Sequence, residues 1–282
     1  MQFKNYLLFI CLFLVLLNSY FLAIIISYIN LTDRVIFLDV GQGDAEFIQT
    51  KTGNILIDAG SFKVVEELGK VMPWYDKIID VAILSHPHKD HFLGFFDLLE
   101  RYKVRTVIIN NVDCANSLYQ QFLDTLKEKN ILVLDGRRQV KVSLAQKDYL
   151  LIFPDPKTSP KADLNEVSLI TLADLQQLKF LFTGDIESRQ EKNLINLLPN
   201  LLSNIFALKV PHHGSNFSNS NDFLSHLAPK IAVIEVGENS FGHPAVEIIE
   251  RYKFLSTKLL RTDLDGTVIL ELTPQGVKLI KN

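Results

Sequence analysis

The first part of the chain is an apolar segment that is long enough to cross a bilayer. No charged residue occurs from Tyr6 to Leu31, and a helix spans a membrane with roughly 20 apolar residues. The pattern predicts a single transmembrane helix within residues 1–33, which would serve as anchor and linker. A cleaved signal peptide and a buried core helix are the alternatives, although no Ala-x-Ala pattern follows the apolar run. Lys4 and the free amine favour an N-terminus inside the cell, so the rest of the chain would lie outside the cytoplasm.

Beyond residue 33, segments typical of strands and helices alternate. Short β-rich runs bounded by turn residues predict strands, and apolar residues at helical spacing predict amphipathic helices. The predicted strands are Val35–Leu38, Ala45–Thr50, Ile55–Ile57, Val81–Leu84, Val104–Ile109, Leu178–Phe182, Ile205–Val210, Ile231–Val236, Thr267–Leu272 and Val277–Ile280. Between residues 140 and 172 the pattern predicts two strands, a loop marked by Pro154, Pro156 and Pro160, and a third strand. The predicted helices are Val64–Val71, His91–Tyr102, Ser117–Lys129, Glu187–Leu198, Asn221–Leu227 and Ala245–Phe254. Two β-rich halves with flanking helices predict one layered α/β domain over residues 34–282.

One short segment carries most of the candidate chemistry. It follows the predicted strand Val81–Leu84 and contains three imidazoles and a carboxylate, namely His86, His88, Asp90 and His91. In extended backbone, side chains two residues apart point to the same side, so His86 and His88 can bind one ion together. Asp90 and His91 lie where the next predicted helix begins. Two such pairs of ligands suit two adjacent ions.

More polar residues follow the strands that end near residues 182, 210 and 236. Asp185 stands where a carboxylate could bridge two ions, although a Gly-Asp pair after a strand is more often only a turn. His212 and His213 are adjacent and therefore point to different sides, so we expect one to bind metal and the other to face the substrate. His243 precedes Pro244, which opens the next predicted helix, and it is either a site residue or a structural histidine.

Charge and cysteine content bear on which partners the protein attracts and on what stabilises it. The 282 residues include 29 basic and 32 acidic ones, for a formal net charge of -3, so no global positive field attracts a polyanion. The small basic cluster Arg137, Arg138 and Lys141 is more simply a solvated loop than a nucleic-acid surface. Cys114 is the only cysteine outside the apolar run, which holds Cys11. No disulfide is therefore available to the predicted domain, and packing and metal must stabilise it.

Taken together, these residues resemble the metallo-β-lactamase superfamily, whose signature is His-x-His-x-Asp-His. More narrowly, six ordered segments are similar to the extracellular hydrolase domain of the ComEC/Rec2 competence proteins, over about residues 34–273. The six segments are Asp39–Ala45, Leu56–Gly60, Thr183–Asp185, Lys209–Ser215, Phe241–Pro244 and Arg261–Asp263. The resemblance implies a four-layer αββα sandwich with its site at the edges of both sheets.

The resemblance also implies roles for the candidate residues. It implies two divalent metal ions, Zn²⁺ or Mn²⁺, whose ligands are His86, His88, Asp90, His91, Asp185 and His213. The first two would serve one ion and the next two the other, Asp185 would bridge both, and His212 is the alternative to His213. Asp58 would orient a ligand from outside the coordination shell. The residues expected to take part in catalysis are Asp185, His212, His243 and Asp44, although Asp44 is equally well explained as a turn residue.

The chain departs from the family pattern in two ways. Most of the superfamily supplies a further histidine to the first ion from mid-chain, and here no histidine occurs between His91 and His212. The competence-type members resemble this chain in having an Asn-x-x-Ser pattern there, met by Asn165 and Ser168. The first ion would then be bound weakly, or held by Asn165 or Asp163 with water. Competence proteins also carry a many-helix channel before this domain, whereas a single apolar segment precedes it here, so we do not expect this chain to conduct DNA.

The leading interpretation is a membrane-anchored, extracytoplasmic phosphodiesterase or nuclease that acts on DNA or another phosphodiester. A separate DNA-uptake channel protein is a candidate partner. One alternative is a hydrolase of small phosphoesters of the choline-phosphate type. The net negative charge of the chain suits a small substrate better than DNA. A β-lactam or lactone hydrolase is disfavoured by the missing mid-chain histidine. The non-enzymatic alternative is a partner of a DNA channel in which metal serves stability alone.

Overall fold

The computed structural model describes residues 2–29, 31–145, 147–155, 157 and 163–281. Its first element is one long helix, α1 (Gln2–Ile29), and within it Leu8–Ile29 is long and apolar enough to cross a membrane. Two of the prolines expected to mark a loop, Pro156 and Pro160, lie outside the described residues.

The described part of the chain forms fifteen strands in two sheets. The strands are β1 (Asp33–Phe37), β2 (Glu46–Thr50), β3 (Gly53–Ile57), β4 (Ile78–Leu84), β5 (Lys103–Ile109), β6 (Leu132–Asp135), β7 (Val140–Ser143), β8 (Tyr149–Phe153), β9 (Ile170–Leu175), β10 (Leu178–Phe182), β11 (Ile205–Lys209), β12 (Ile231–Ile234), β13 (Lys258–Arg261), β14 (Val268–Thr273) and β15 (Gly276–Lys281). The first sheet has the order β15-β14-β1-β2-β3-β4-β5-β6, and the second has the order β13-β12-β11-β10-β9-β8-β7. Strands β3 to β6 and strands β10 to β13 run parallel to their neighbours within these groups.

The helices that follow α1 are short and lie against these sheets. They are α2 (Val64–Val71), α3 (Lys89–Phe92), α4 (Phe95–Arg101), α5 (Ser117–Glu128), α6 (Ser188–Leu197), α7 (Asn221–Leu227), α8 (Val246–Phe254) and α9 (Thr262–Asp265), with a 3₁₀ turn at Pro211–Gly214.

Alternation of side chains along the strands builds three apolar layers. In β1, Val35 and Phe37 point between the sheets, whereas Ile36 points toward the helices on the outer face of the first sheet. Phe37 meets Phe182 of the second sheet with ring centroids 5.9 Å apart. A third layer joins the second sheet to α6, α7 and α8. Since both faces of each sheet are covered, the central strands are apolar throughout, and the predicted four-layer αββα sandwich is confirmed.

The predicted helix His91–Tyr102 is two helices, α3 and α4, separated at Gly94. The Gly94 amide donates a hydrogen bond to the carbonyl of Ala59, at 2.7 Å. A Cβ atom at this position would lie 2.2 Å from the carbonyl oxygen of Ser61. The helix is therefore interrupted at Gly94, where the loop containing Ala59 and Ser61 approaches too closely to leave room for a side chain. The sequence analysis did not predict the four-residue strands β6 and β13. β6 lies in the short apolar run 131–134 and is half exposed.

Candidate metal centre

The candidate residues converge where the chain leaves the carboxyl ends of β4, β10 and β11. Among the described residues, three sets of side chains each place their ligand atoms within 4.8 Å of one another. The sets are His86 with His88 and Asp185, Asp90 with His91 and His213, and Asp44 with His91 and Asp185. The structure thus brings all six expected metal ligands together from segments that lie up to 127 positions apart, between His86 and His213.

Asp185 lies between the first two sets. Its Oδ2 atom is 3.8 Å from Nε2 of His86, 3.3 Å from Nε2 of His91 and 3.7 Å from Nε2 of His213. Nε2 of His213 is also 3.4 Å from Oδ2 of Asp90. A single carboxylate oxygen therefore faces nitrogen atoms of both sets, so Asp185 could be shared by two ions.

Hydrogen bonds behind the rings of His91 and His213 turn Nε2 of each ring toward the centre. Nδ1 of His91 lies 2.7 Å from Oδ2 of Asp58, and Nδ1 of His213 lies 2.8 Å from the carbonyl oxygen of Glu235. Since oxygen acceptors face both Nδ1 atoms, these carry a hydrogen, and a metal ion would bind each ring through Nε2 after displacing the proton there.

Ser85, which the sequence reasoning missed, orients His86 in the same way. Its hydroxyl donates to Oδ2 of Asp58 at 2.6 Å and lies 3.0 Å from Nδ1 of His86. A hydroxyl has only one hydrogen to donate, so it accepts from Nδ1 of His86. Nε2 of His86 then points to the first ligand set, where it lies 3.0 Å from Nδ1 of His88. Ser168, expected either to support a ligand from outside the coordination shell or to bind weakly, lies with its hydroxyl 3.3 Å from the same Nδ1 atom and accepts from the amide of Asp185 at 3.2 Å. Both hydroxyls act from behind the ligand atoms.

The donor set fits divalent cations. Nε2 of His91, Nε2 of His213 and Oδ1 of Asp185 are buried and have no hydrogen-bond partner among the described residues. Although burial opposes protonation, the charges of Asp185 and Asp44 raise the pKa of His213 to about 10 and raise the pKa of His91 well above its ordinary value. Burial, together with the His91 charge, lowers the pKa of His86 well below its ordinary value. Mixed imidazole and carboxylate ligands around surplus negative charge are typical of zinc and manganese sites.

A buried lysine, also missed from the sequence, neutralises part of that charge. Lys209 ends β11 and is fully buried; its ammonium forms an ion pair with Asp44, lies 3.5 Å from Oδ1 of Asp185 and donates to the Gly184 carbonyl at 2.9 Å. Burial disfavours the charged amine, yet the Asp44 and Asp185 charges raise its pKa above the ordinary value. The sequence signals were a lysine at the end of an otherwise apolar strand and its place at the start of the family-like segment Lys209–Ser215.

Asp44, expected to take part in catalysis, lies behind the imidazoles. Its carboxylate is 3.6 Å from Nδ1 of His91 and 3.3 Å from Nδ1 of His213, and both nitrogens face away from the centre. It is fully buried. Asp44 pairs with Lys209 and also belongs to the third set of possible ligands, with His91 and Asp185, so its part in catalysis stays a prediction.

A buried carboxyl pair, Glu46 and Glu235, lies next to Asp44. Burial and the Asp44 charge raise the pKa of Glu235 to about 8, and burial with the Glu235 charge raises the pKa of Glu46 well above its ordinary value. Oε1 of Glu235 accepts from the amide of Ala45 at 3.0 Å. The two glutamates stand in strand-like apolar segments, and this was their only sequence signal.

A cleft of about 420 Å³ opens onto the centre. His212 and His243 line it beside Asp185, with their ring centroids 5.6 Å apart, and the exposed ring of Phe241 stacks on His243 at 6.0 Å. Burial lowers the pKa of His212 and of His243, so both rings are neutral at pH 7. Neither histidine belongs to the three ligand sets, and both are placed to face a substrate.

The mid-chain segment that stands in for the missing histidine reaches the same cleft. Asn165 lines the cleft, and its buried Oδ1 atom has no hydrogen-bond partner within the described ranges. Asp163 instead accepts from the amide of Asn165 at 3.0 Å. Of these two candidates for a weak ligand, Asn165 is the one that presents a free oxygen.

Comparison with known proteins agrees with this architecture. Residues 38–237 match the model of the metallo-beta-lactamase superfamily. The chain is 27% identical over 270 residues to ComE operon protein 3 of Bacillus subtilis, covering 88% of this chain and 34% of that protein. It is 28% identical over 244 residues to Recombination protein 2 of Haemophilus influenzae, covering 84% of this chain and 28% of that protein. The chain thus spans about a third of the length of the relatives it matches.

Among solved structures, the metallo-beta-lactamase fold protein YhfI from Bacillus subtilis is similar with a TM-score of 0.57 and 11% identity, over 89% of this chain and 100% of that one. The fold and the resemblance to competence proteins that the sequence indicated are both confirmed. The chain belongs to the metallo-beta-lactamase superfamily and is a metallo-hydrolase related to competence proteins.

Proposed function

We propose that this protein is a membrane-anchored, metal-dependent phosphodiesterase whose domain, residues 34–282, cleaves DNA or another nucleic acid outside the cytoplasm. The observation that carries the proposal is the position of Asp185, with one oxygen within 3.8 Å of nitrogens from both ligand sets. Paired ions about 3.5–4 Å apart are the usual arrangement in enzymes that cleave phosphodiesters.

The ligands divide between two ions. His86 and His88 would hold one ion and Asp90, His91 and His213 the other, while Asp185 would contact both. When bound, the ions would supply a metal-activated water and neutralise charge on a phosphate oxygen. The free Oδ1 atom of Asn165 offers the first ion a weak further ligand in place of the missing histidine.

The chain's own residues would position the substrate. His212 lies with Nε2 3.9 Å from Oδ2 of Asp185 and is neutral at pH 7, so its ring N–H can donate a hydrogen bond to a phosphate oxygen. His243, beside it in the cleft, can assist the leaving oxygen in the same way. Asp58 and Lys209 would hold His91 and Asp185 in place from behind.

The nature of the substrate is supported by the relatives. Their names include competence and recombination proteins, which favours DNA and favours a separate DNA-uptake channel protein as partner. A hydrolase of small phosphoesters is the second candidate, because the net charge of -3 does not favour a polyanion. The uncharged run from Tyr6 to Leu31 and the basic Lys4 before it support an anchored domain on the outer side of the membrane.

One panel of substrates tests the proposal. The full chain, purified in detergent and loaded with Zn²⁺ or Mn²⁺, would be given single- and double-stranded DNA, p-nitrophenyl phosphorylcholine and a chromogenic β-lactam. We expect DNA cleavage that Asp185→Ala abolishes and that His226→Ala, a change at an outer-surface histidine, preserves. Turnover of the choline ester alone would support the second candidate. A rise in melting temperature on metal addition with no turnover would indicate a non-catalytic partner.

A further inference from the structure

Trp74 is an exposed aromatic residue that contacts the N-terminal helix. It lies in the connection between α2 and β4 and is 61% exposed. Its ring centroid is 5.3 Å from that of Tyr20 in α1 and 5.5 Å from that of Tyr75. Arg34, at the start of β1, donates to the carbonyl of Val71 at the end of α2, at 2.9 Å. The α2–β4 connection therefore lies against both α1 and the junction between α1 and β1.

The length of α1 places this contact inside a bilayer. The uncharged run from Tyr6 to Leu31 would extend about 39 Å as a helix, which exceeds the roughly 30 Å hydrocarbon core. If Tyr6 lies at one boundary of the hydrocarbon core, about 20 helical residues cross it, and the other boundary falls near residue 26. Tyr20 then lies about six residues, or roughly 9 Å along the helix, inside that second boundary. Trp74, in contact with Tyr20, then reaches the outer third of the membrane on the side of the domain.

The surroundings of Trp74 have the composition of a membrane interface. Lys77, Arg101 and Lys103 are exposed at the amino-terminal ends of β4 and β5, and the amide of Lys103 donates to the carbonyl of Lys77 at 2.8 Å. Tryptophan and tyrosine accumulate at the boundary between lipid and water, and basic side chains pair with lipid phosphates there. We call residues 73–77 with Arg101 and Lys103 the basal edge.

The metal centre lies at the opposite end of the same strands. β4 begins at Ile78, next to the basal edge, and its seven residues lead to Ser85 and His86. At about 3.3 Å per residue, this strand separates the two ends by roughly 23 Å. β1 runs parallel to β4 and likewise leads from α1 toward the loop that holds Asp44.

We propose that the basal edge is a membrane-docking surface, with Trp74 inserted among the lipid chains, and that it directs the metal centre away from the bilayer. The inference rests on the membrane anchoring included in the proposed function. Docking at two places, α1 and Trp74, would stop the domain from rotating on its linker. The cleft would then face bulk solvent, where a long polymer can enter it.

The chain contains a single tryptophan, so its fluorescence reports on Trp74 without a background. The full chain would be reconstituted into vesicles of phosphatidylcholine and phosphatidylglycerol, with and without dibrominated acyl chains. We expect brominated lipid to quench the emission by more than half and aqueous acrylamide to quench it only weakly. The matched control is the double variant Trp74→Phe, Phe217→Trp. Phenylalanine keeps an apolar aromatic ring at position 74, so the basal edge can still dock, and Phe217 is 71% exposed and follows the ligand His213 by four residues. Its tryptophan should show the reverse behaviour.

The outcomes separate this inference from the anchoring on which it rests. Protein that fails to float with the vesicles would refute the anchoring, and this inference with it. Protein that floats while Trp74 is quenched by acrylamide and not by lipid would refute the docking surface alone. Lipid quenching of the tryptophan in the double variant would refute the orientation of the metal centre. DNA cleavage is measured separately and does not enter any of these readouts.

Discussion

Asp58→Asn tests how the imidazoles are oriented. The Asp58 carboxylate accepts three hydrogen bonds, from Nδ1 of His91 at 2.7 Å and from the amide and hydroxyl of Ser85 at 2.7 and 2.6 Å. Asparagine has the same shape but only one oxygen. If that oxygen stays with the Ser85 amide, the new NH₂ group faces two donors. His91 then relieves the clash by moving its hydrogen to Nε2, the atom that faces the metal centre.

The size of the effect follows from these contacts. Loss of a hydrogen-bonding partner behind a ligand typically lowers metal affinity 10- to 100-fold. Asp58 acts on His91 directly and on His86 through Ser85, so we expect the upper end, a loss of about 100-fold or about 2.8 kcal/mol. Competition with a chromophoric chelator measures it, on protein whose circular dichroism matches the wild type.

The matched control is Asp80→Asn, the same change in β4. Asp80 pairs with Arg105 at the other end of the strand, and we expect its substitution to leave metal affinity within about twofold, since it touches no ligand. If Asp58→Asn bound metal within about threefold of the wild type, the proposed orientation of the imidazoles would be refuted.

Other positions give further expectations. Lys209→Met should lower the free energy of unfolding of the metal-free chain by about 3–5 kcal/mol in urea titrations, because it removes the ammonium that pairs with the buried carboxylate of Asp44. Divalent metal should reduce the difference, and a loss under about 1 kcal/mol would contradict the ion pair. His243→Ala should lower kcat about 100-fold at unchanged metal affinity, and wild-type kcat would remove this residue from the reaction. Gly94→Ala should destabilise the fold by about 1–3 kcal/mol, whereas Gly69→Ala, in α2 with open space around it, should stabilise it by about 0.5–1 kcal/mol; equal melting temperatures would show that Gly94 is not packed as described.

Features that depend on the local order of residues, namely strands, helices and short motifs, could be predicted from the sequence. Apolar strands and amphipathic helices are visible over five to ten residues, and His86, His88, Asp90 and His91 form one short motif. Their grouping with Asp185 and His213 could be expected because each follows a strand. The structure confirmed the layers and brought these side chains together.

Features that depend on contacts between distant segments could not be predicted. Lys209 and Asp44 stand 165 positions apart, and neither neighbourhood shows that the two charges meet in the interior. The break at Gly94 is imposed by the carbonyls of Ala59 and Ser61, which the helical pattern of the segment does not contain. β6 and β13 have only four residues each, and their place at the sheet edges is set by pairing with β5 and β12.

The measurement that tests the central claim most directly is the metal content of the dialysed full chain, determined by mass spectrometry for the wild type and for Asp185→Ala. Side chains from three segments, residues 86–91, Asp185 and His213, meet around one carboxylate oxygen and should hold two ions per chain. We expect two equivalents of Zn²⁺ or Mn²⁺ in the wild type and at most one in the variant. One equivalent or none in the wild type, or two in the variant, would contradict a paired centre bridged by Asp185.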